Sequence, residues 1–406
     1  MAEIDNKTLR VGGAFLVSGN VLQALIAFGV NLVLVRYLLP EDFGRFALVF
    51  AAASLIYGLV SLRINVLIIR APENEFTTEV REHYFAALLL ETLAATVIVL
   101  GWLYLFTDPS GWELALVLAI GLRHWTDHNK AFFERSMPYK RLATVETSVS
   151  TLSHLLSLLL VLSGVGAIVL FIREIFMSVA SLISLHLIGG LTFLKIRFPS
   201  IAEMKNLVGE AKGIWLDGIL EGSFQQVTIL LAGHIGGERI AGFFFQAQRL
   251  AVVPQQFLAP IVTRLAANWF GRTEYPVDRQ KGRDKLLLVL AGPLIIAGAL
   301  TYWLADPIVP WLFGAKWAQS ATLFQAMAGA VVFISLFEVL KVFCWTTKKT
   351  AVLLGGRFAQ YAGLIILAGA GFHGYMSFDL GLSWGLSAAY LLAFAVMYLS
   401  LRTREK

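Results

Sequence analysis

Four charged residues fall at helical spacing inside an otherwise apolar stretch, LALVLAIGLRHWTDHNKAFFER (114–135). Arg123, Asp127, Lys130 and Glu134 stand at i, i+4, i+7 and i+11. On an α-helix that register puts all four on one face, with His124 and His128 on a neighbouring ridge. Charge is costly in hydrocarbon, so the face is expected to turn toward protein or a water-filled cavity. Arginine's planar fork suits phosphate oxygens, and lysine adds a point charge. A buried carboxylate can change protonation as a cavity opens and closes. Two histidines at i, i+4 suit zinc, but no third ligand is evident and no HExxH motif accompanies them, so no metal is expected.

More ionisable residues interrupt apolar runs: Glu91, Arg173, Glu174, Asp217, Glu221, Arg249, Glu338, Lys341 and Arg357. Asp217, Glu221 and Gln225 share one helical face, Glu338 and Lys341 another, and Arg357, Gln360 and Tyr361 a third; Asn20, Gln23 and Asn31 line one side of the first run. The functional reading is a hydrated vestibule. In it Arg123, Lys130, Arg249, Lys341 and Arg357 are candidates to bind an anionic substrate, and Asp127, Asp217, Glu221 and Glu338 are candidates for ion coupling. The competing reading is internal pairing, for which Arg123 with Asp127 and Glu338 with Lys341 are well spaced. Glu91 and Glu174 are expected near span ends, hydrated, and Arg63 is expected to snorkel.

The scaffold that positions these residues follows from composition. Of 406 residues, 57% are hydrophobic and 15% charged, with mean hydropathy +0.72. A soluble domain carries about 25% charged residues. The expected fold class is an all-α polytopic membrane protein, with twelve transmembrane helices in two six-helix lobes around a central cavity. Spans are expected at 11–37, 44–66, 84–106, 113–133, 143–163, 166–192, 211–234, 240–268, 285–305, 320–343, 350–371 and 379–401. Residues 1–192 would form one lobe, 193–210 a cytoplasmic connector and 211–406 the other lobe. The opening MAEIDNKTLR does not read as a cleavable signal peptide.

Lysine and arginine alternate strongly between the two sides of these spans. One side holds Lys7, Arg10, Arg70, Arg81, Arg135, Lys140 and Arg141, then the basic residues of 193–210, 270–285 and 348–349, and the C-terminus. The other holds only Arg36, Arg45, Arg239 and Lys316. By the positive-inside rule both termini are expected to be cytoplasmic. Topology thus accounts for the net charge of +6, and no nucleic-acid partner is expected.

The chain also repeats itself. RYLLPEDFGRFALVF (36–50) follows span 1, and GHIGGERIAGFFFQAQ (233–248) follows span 7, with Gly44 matching Gly242, Glu41 matching Glu238 and Phe46 matching Phe244. Two six-span halves in parallel orientation follow from this. LLPEDFGRFAL, AGFFFQAQRLAVVPQQF, LFGAKWAQSATLFQAM and the connector AFFERSMPYKRLATVE resemble Wzx-type polysaccharide (O-antigen and exopolysaccharide) flippases of the MOP (MATE-like) superfamily. Phe243 stands where that family often has Tyr, and Arg63 where smaller residues are usual.

The resemblance implies a transporter in the bacterial inner membrane. It would move a polyprenyl-diphosphate-linked oligosaccharide from the cytoplasmic to the periplasmic leaflet by alternating access, for polysaccharide or lipopolysaccharide biosynthesis. Its partners would be that substrate, membrane lipid and a polymerase or export complex, and it would need no cofactor. One rival is a multidrug or cation antiporter of the same superfamily, which would favour carboxylates and aromatics in its cavity. The other is a membrane glycosyltransferase or polymerase, which needs a larger outer loop than 305–319, where Asp306 is the only carboxylate. No P-loop is present. Pro254 and Pro260 are expected to kink span 8. Trp102, Trp112, Trp303, Trp311 and Trp317 read as an interfacial aromatic belt.

Overall fold

Backbone groups in hydrocarbon must be satisfied within helices or closed barrels. The computed structural model describes residues 6–136, 139–198, 200–272 and 275–403, and these contain helices and no strand. The extreme termini, and with them Arg404 and Lys406, lie outside the described residues, as do the side chains of Lys7, Arg10, Asn20 and Pro260. Two compact units divide the chain: Met1–Tyr37 with Leu48–Val227, and Leu38–Ala47 with Thr228–Lys406.

The first half of the chain runs α1 (Asn6–Tyr37), α2 (Pro40–Val60), α3 (Ile64–Arg70), α4 (Thr78–Phe106), α5 (Gly111–Asn129), α6 (Ala131–Glu134), α7 (Tyr139–Leu162) and α8 (Ile168–Leu187). In the first unit α5 packs on α4 and α8, and α7 packs on α1 and α8. The expected second span ends early. Its helix stops at Val60, Arg63 takes the left-handed conformation (φ 56°, ψ 40°), and α3 restarts at Ile64. Long-range bonding explains the break, because the Glu91 carboxylate on α4 accepts the Leu62 N–H at 2.8 Å. Span 4 has one irregular residue, Lys130, whose backbone stays right-handed helical (φ −57°, ψ −17°), and α6 carries the helix on to Glu134, close to the expected end at 133. The Asn129 side chain accepts from Thr192 N (2.8 Å) and donates to Thr192 O (2.9 Å), tying down the chain that leaves α8.

The second half runs α9 (Ile201–Ala251), α10 (Val253–Arg272), α11 (Pro276–Phe313), α12 (Ala318–Ala326), α13 (Ala328–Thr346), α14 (Thr350–Phe372) and α15 (Phe378–Thr403). α9 is two helices meeting at Gly237 (φ 70°, ψ −173°), in the turn expected between spans 7 and 8, a conformation that glycine reaches without a Cβ clash. The helix then breaks at Val252, so Pro254 sits in the first turn of α10 rather than inside a span. Proline removes no hydrogen bond there. Span 10 is likewise two helices, interrupted at Met327. α11 begins at Pro276, inside the expected connector 270–285. In the second unit α13 is buried along most of its length, against α10, α11 and α15.

Eight described helices are long and apolar enough to cross a membrane by length and composition, and α1 contributes a shorter apolar segment, Val21–Tyr37. Apolar side chains exposed along α4, α11 and α14, such as Val97, Leu288, Ile296 and Ile365, supply a lipid-facing surface. Trp112, Trp303 and Trp311 are exposed as a belt requires, but Trp317 is fully buried. It packs edge-on against Phe43, Phe243 and Phe313, because η-turn residues 315–317 fold it back into the second unit.

The repeated turn is a close backbone crossing within the second unit. A Cβ on Gly44 would lie 1.7 Å from the Glu238 carbonyl oxygen, and one on Gly242 would lie 1.8 Å from the Pro40 carbonyl oxygen. These contacts are reciprocal: the shift that carries Gly44 onto Gly242 carries Pro40 onto Glu238 and Glu41 onto Arg239. Glu41 therefore corresponds to Arg239 rather than Glu238, and the two side chains pair at 3.4 Å.

Candidate functional site

α5 carries its charges near its C-terminal end. Arg123 lies six residues before Asn129, about 9 Å along the axis. Helical backbone bonding continues past Asn129, with Lys130 N donating to Thr126 O at 3.0 Å, so Arg123, Asp127 and Lys130 stay on one side. Arg123 Nε is 3.6 Å from Asp127 Oδ2, and Arg123 Nη1 is 3.3 Å from Glu174 Oε2 on α8. Lys130 Nζ bridges Asp127 Oδ1 (3.1 Å) and Glu146 Oε1 on α7 (2.8 Å). Glu174 also receives Arg173, at 2.9 Å. The result is a continuous chain of alternating sign: Arg173, Glu174, Arg123, Asp127, Lys130, Glu146. Three helices supply it, and its formal charge sums to zero. Glu134, past the end of α5, is half-buried.

Pairing does not seal the chain. The Arg123 and Asp127 side chains remain 43% and 46% exposed, whereas Arg173 and Glu174 are buried. Glu174 is thus not a hydrated span-end residue, because α5 and α8 close over it. Glu146, whose partner stands sixteen positions away, had no local signal in the sequence.

A second polar cluster lies at the α2–α3 break. Glu91 is buried rather than hydrated. One of its oxygens accepts Leu62 N–H and the other is 3.3 Å from His124 Nε2. His128 Nδ1 lies 2.8 Å from the His124 carbonyl, and its Nε2 is 3.2 Å from Ser61 Oγ. Arg63 does not snorkel: its Nη2 donates to Gly218 O on α9 at 2.8 Å, beside Trp215 Nε1, which donates to Leu59 O at 3.2 Å.

The other candidates lie apart from these. Asp217 and Glu221 are half-buried on the first-unit portion of α9. In the second unit Glu338 and Lys341 on α13 pair at 2.8 Å, both nearly buried, and Lys341 Nζ sits over the Trp345 ring at 4.7 Å. Arg357 on α14 is buried against Phe337 and donates to Gln360 Oε1 at 3.3 Å. The half-buried Arg249 lies 5.6 Å from the Phe245 ring. One residue that the sequence reading assigned to topology alone is part of the interior: Arg283 is buried between Phe343 and Tyr398 and bonds Asp284 at 2.8 Å. Its sequence signal, a charge-rich connector, pointed the other way.

Comparison with known proteins places these features in context. The polysaccharide biosynthesis protein family matches residues 33–322. The lipopolysaccharide biosynthesis protein WzxC of Escherichia coli is 27% identical over 176 residues, 38% of this chain and 35% of that protein, so the match spans about a third of the relative's length. Among solved structures, the lipid II flippase MurJ in an inward closed conformation superimposes with a TM-score of 0.72 at 13% identity, covering 97% of this chain and 87% of that one. The eukaryotic MATE transporter AtDTX14 gives 0.66 at 14% identity, covering 98% and 95%. At these identities the structural likeness establishes the fold.

Proposed function

The chain belongs to the polysaccharide biosynthesis protein family, and we propose that it is a multi-pass transporter of the MOP superfamily rather than an enzyme, translocating a lipid-linked oligosaccharide across the bacterial inner membrane. The substrate would carry a polyprenyl diphosphate and move from the cytoplasmic to the periplasmic leaflet. Halves of six spans each, 1–192 and 211–406, would alternate access to it, with both termini cytoplasmic.

The observation that supports this reading is the α5 charge chain. A neutral network of buried ion pairs would hold helices together without leaving charge open. Here Arg123 and Asp127 are paired yet nearly half exposed, on a helix that is apolar from Leu114 to Leu122 before them. Charge in that position needs water beside it. A diphosphate could then exchange with Asp127 or Glu174 for the Arg123 fork, which makes paired bonds to phosphate oxygens. Lys130, held by two carboxylates, would steady Asp127 while this exchange occurs. Arg249, Lys341 and Arg357 would serve the same anion at other stages, and Asp217, Glu221 and Glu338 are the remaining candidates for ion coupling.

The test is translocation of a fluorescent lipid-linked oligosaccharide in proteoliposomes. Arg123→Ala is expected to slow it at least tenfold while the protein remains folded in the membrane. The variant Arg123→Lys keeps a cation between Asp127 and Glu174 but lacks the planar fork. If the Arg123 fork meets phosphate, Arg123→Lys stays slow; wild-type transport by Arg123→Lys would reduce Arg123 to a helix tie and remove the substrate role.

A further inference from the structure

We infer that Glu91, His124 and His128 form a site for a divalent transition metal of the zinc class, in the first unit at the α2–α3 break. The sequence supplied two histidines at i, i+4 and no third ligand. Folding brings the third from α4. One donor atom from each residue lies within 4.8 Å of the others. The Glu91 Oε1–His124 Nε2 separation is 3.3 Å, close to the roughly 3.3–3.4 Å edge of a tetrahedron whose metal–ligand bonds are about 2.0–2.1 Å.

Hydrogen bonds around the cluster favour ligation independently of that spacing. A carbonyl can only accept, so the 2.8 Å contact to His124 O fixes the proton of His128 on Nδ1. Its Nε2 lone pair is thereby aimed inward, toward Ser61 Oγ. Histidines that bind metal almost always donate their other ring N–H to a carbonyl or carboxylate in this way. Glu91 is oriented similarly, with one oxygen held by Leu62 N–H and the other turned to the histidines. The Ser61 hydroxyl or a water would complete four ligands. Two imidazoles and one carboxylate suit Zn²⁺, Co²⁺ or Ni²⁺, whereas Mg²⁺ and Ca²⁺ prefer oxygen ligands throughout.

A bound ion would link α4 to α5 directly beneath the turn where Arg63 adopts its left-handed backbone. This inference stands apart from the transport reading, since either can fail alone. The other cluster of metal-ligating residues among those described, Glu79, His83 and Glu203, is mostly exposed and serves as the control.

The experiment uses the full chain, purified in detergent with any affinity tag removed, and Zn²⁺ itself as probe. Calorimetry and elemental analysis should give one ion per chain, with a higher thermal unfolding temperature in Zn²⁺ and none in Mg²⁺ or Ca²⁺. His124→Gln and His128→Gln should each weaken binding at least tenfold, and His83→Gln should leave it unchanged. Should the histidine variants misfold, the Co²⁺ spectrum of the wild-type chain decides: the absorption of four-coordinate cobalt, displaced by one equivalent of Zn²⁺, supports the site. Absence of one-to-one binding, or a purely octahedral cobalt spectrum, overturns the proposal. So does binding that is lost with His83→Gln and kept with His128→Gln.

Discussion

At the residue scale, the interior charges are committed to one another more thoroughly than their spacing alone required. Glu338 and Lys341 form a pair one helical turn apart, each side chain about 9% exposed. Such a pair adds little net stability over an apolar replacement, but removing one member strands the other. Lys341→Met is therefore expected to destabilise the protein by about 3–5 kcal/mol, read as a shift in the denaturant midpoint in detergent. The double variant Glu338→Leu with Lys341→Met should regain most of that loss. The i, i+3 spacing made this pair legible in the sequence, as the i, i+4 spacing did for Arg123 and Asp127. Other residues were not legible. Trp317 shares its place near a span end with belt tryptophans, and only the long-range approach of Phe43 and Phe243 makes it a core residue. Arg283 lies among loop charges but stacks between two aromatic rings.

At the element scale, hydrophobic runs located the helices but not all their interruptions. The break at Ser61–Arg63 goes with a side chain reaching a backbone group far along the chain, Glu91 to Leu62. Such a contact leaves no mark in a local apolar window. The break at Gly237 falls in the short turn expected between 234 and 240, so that interruption was legible. The glycine turns of the repeat were likewise visible, and the fold explains why glycine stands there. Replacing Gly44 or Gly242 with Leu puts a Cβ less than 2 Å from a facing carbonyl oxygen. Each substitution is expected to cost about 1–3 kcal/mol or more through forced backbone separation. Gly58 has nothing within 4 Å of its would-be Cβ, so Gly58→Ala should be neutral or stabilising. Thermal unfolding of the three variants in one detergent compares them directly, and equal behaviour of Gly44→Leu and Gly58→Ala would contradict the crossing.

At the scale of the whole molecule, composition alone indicated an all-helical membrane protein. The repeated turn and the alternating basic loops indicated paired halves. The fold shared with MurJ and MATE transporters agrees with the all-helical membrane architecture, and the family match covers 33–322. What composition and pattern could not settle is cargo, because the same fold carries different substrates. Cargo must be read from chemistry, and the chemistry here is an open arginine within a balanced chain of charge. The most direct measurement is therefore translocation by the wild-type chain in proteoliposomes, comparing a polyprenyl-diphosphate oligosaccharide with the same glycan on a neutral lipid and with an amphipathic cation. Rapid movement of the diphosphate-linked glycan alone is expected, while transport of the cation with no movement of the diphosphate-linked glycan would overturn the flippase assignment.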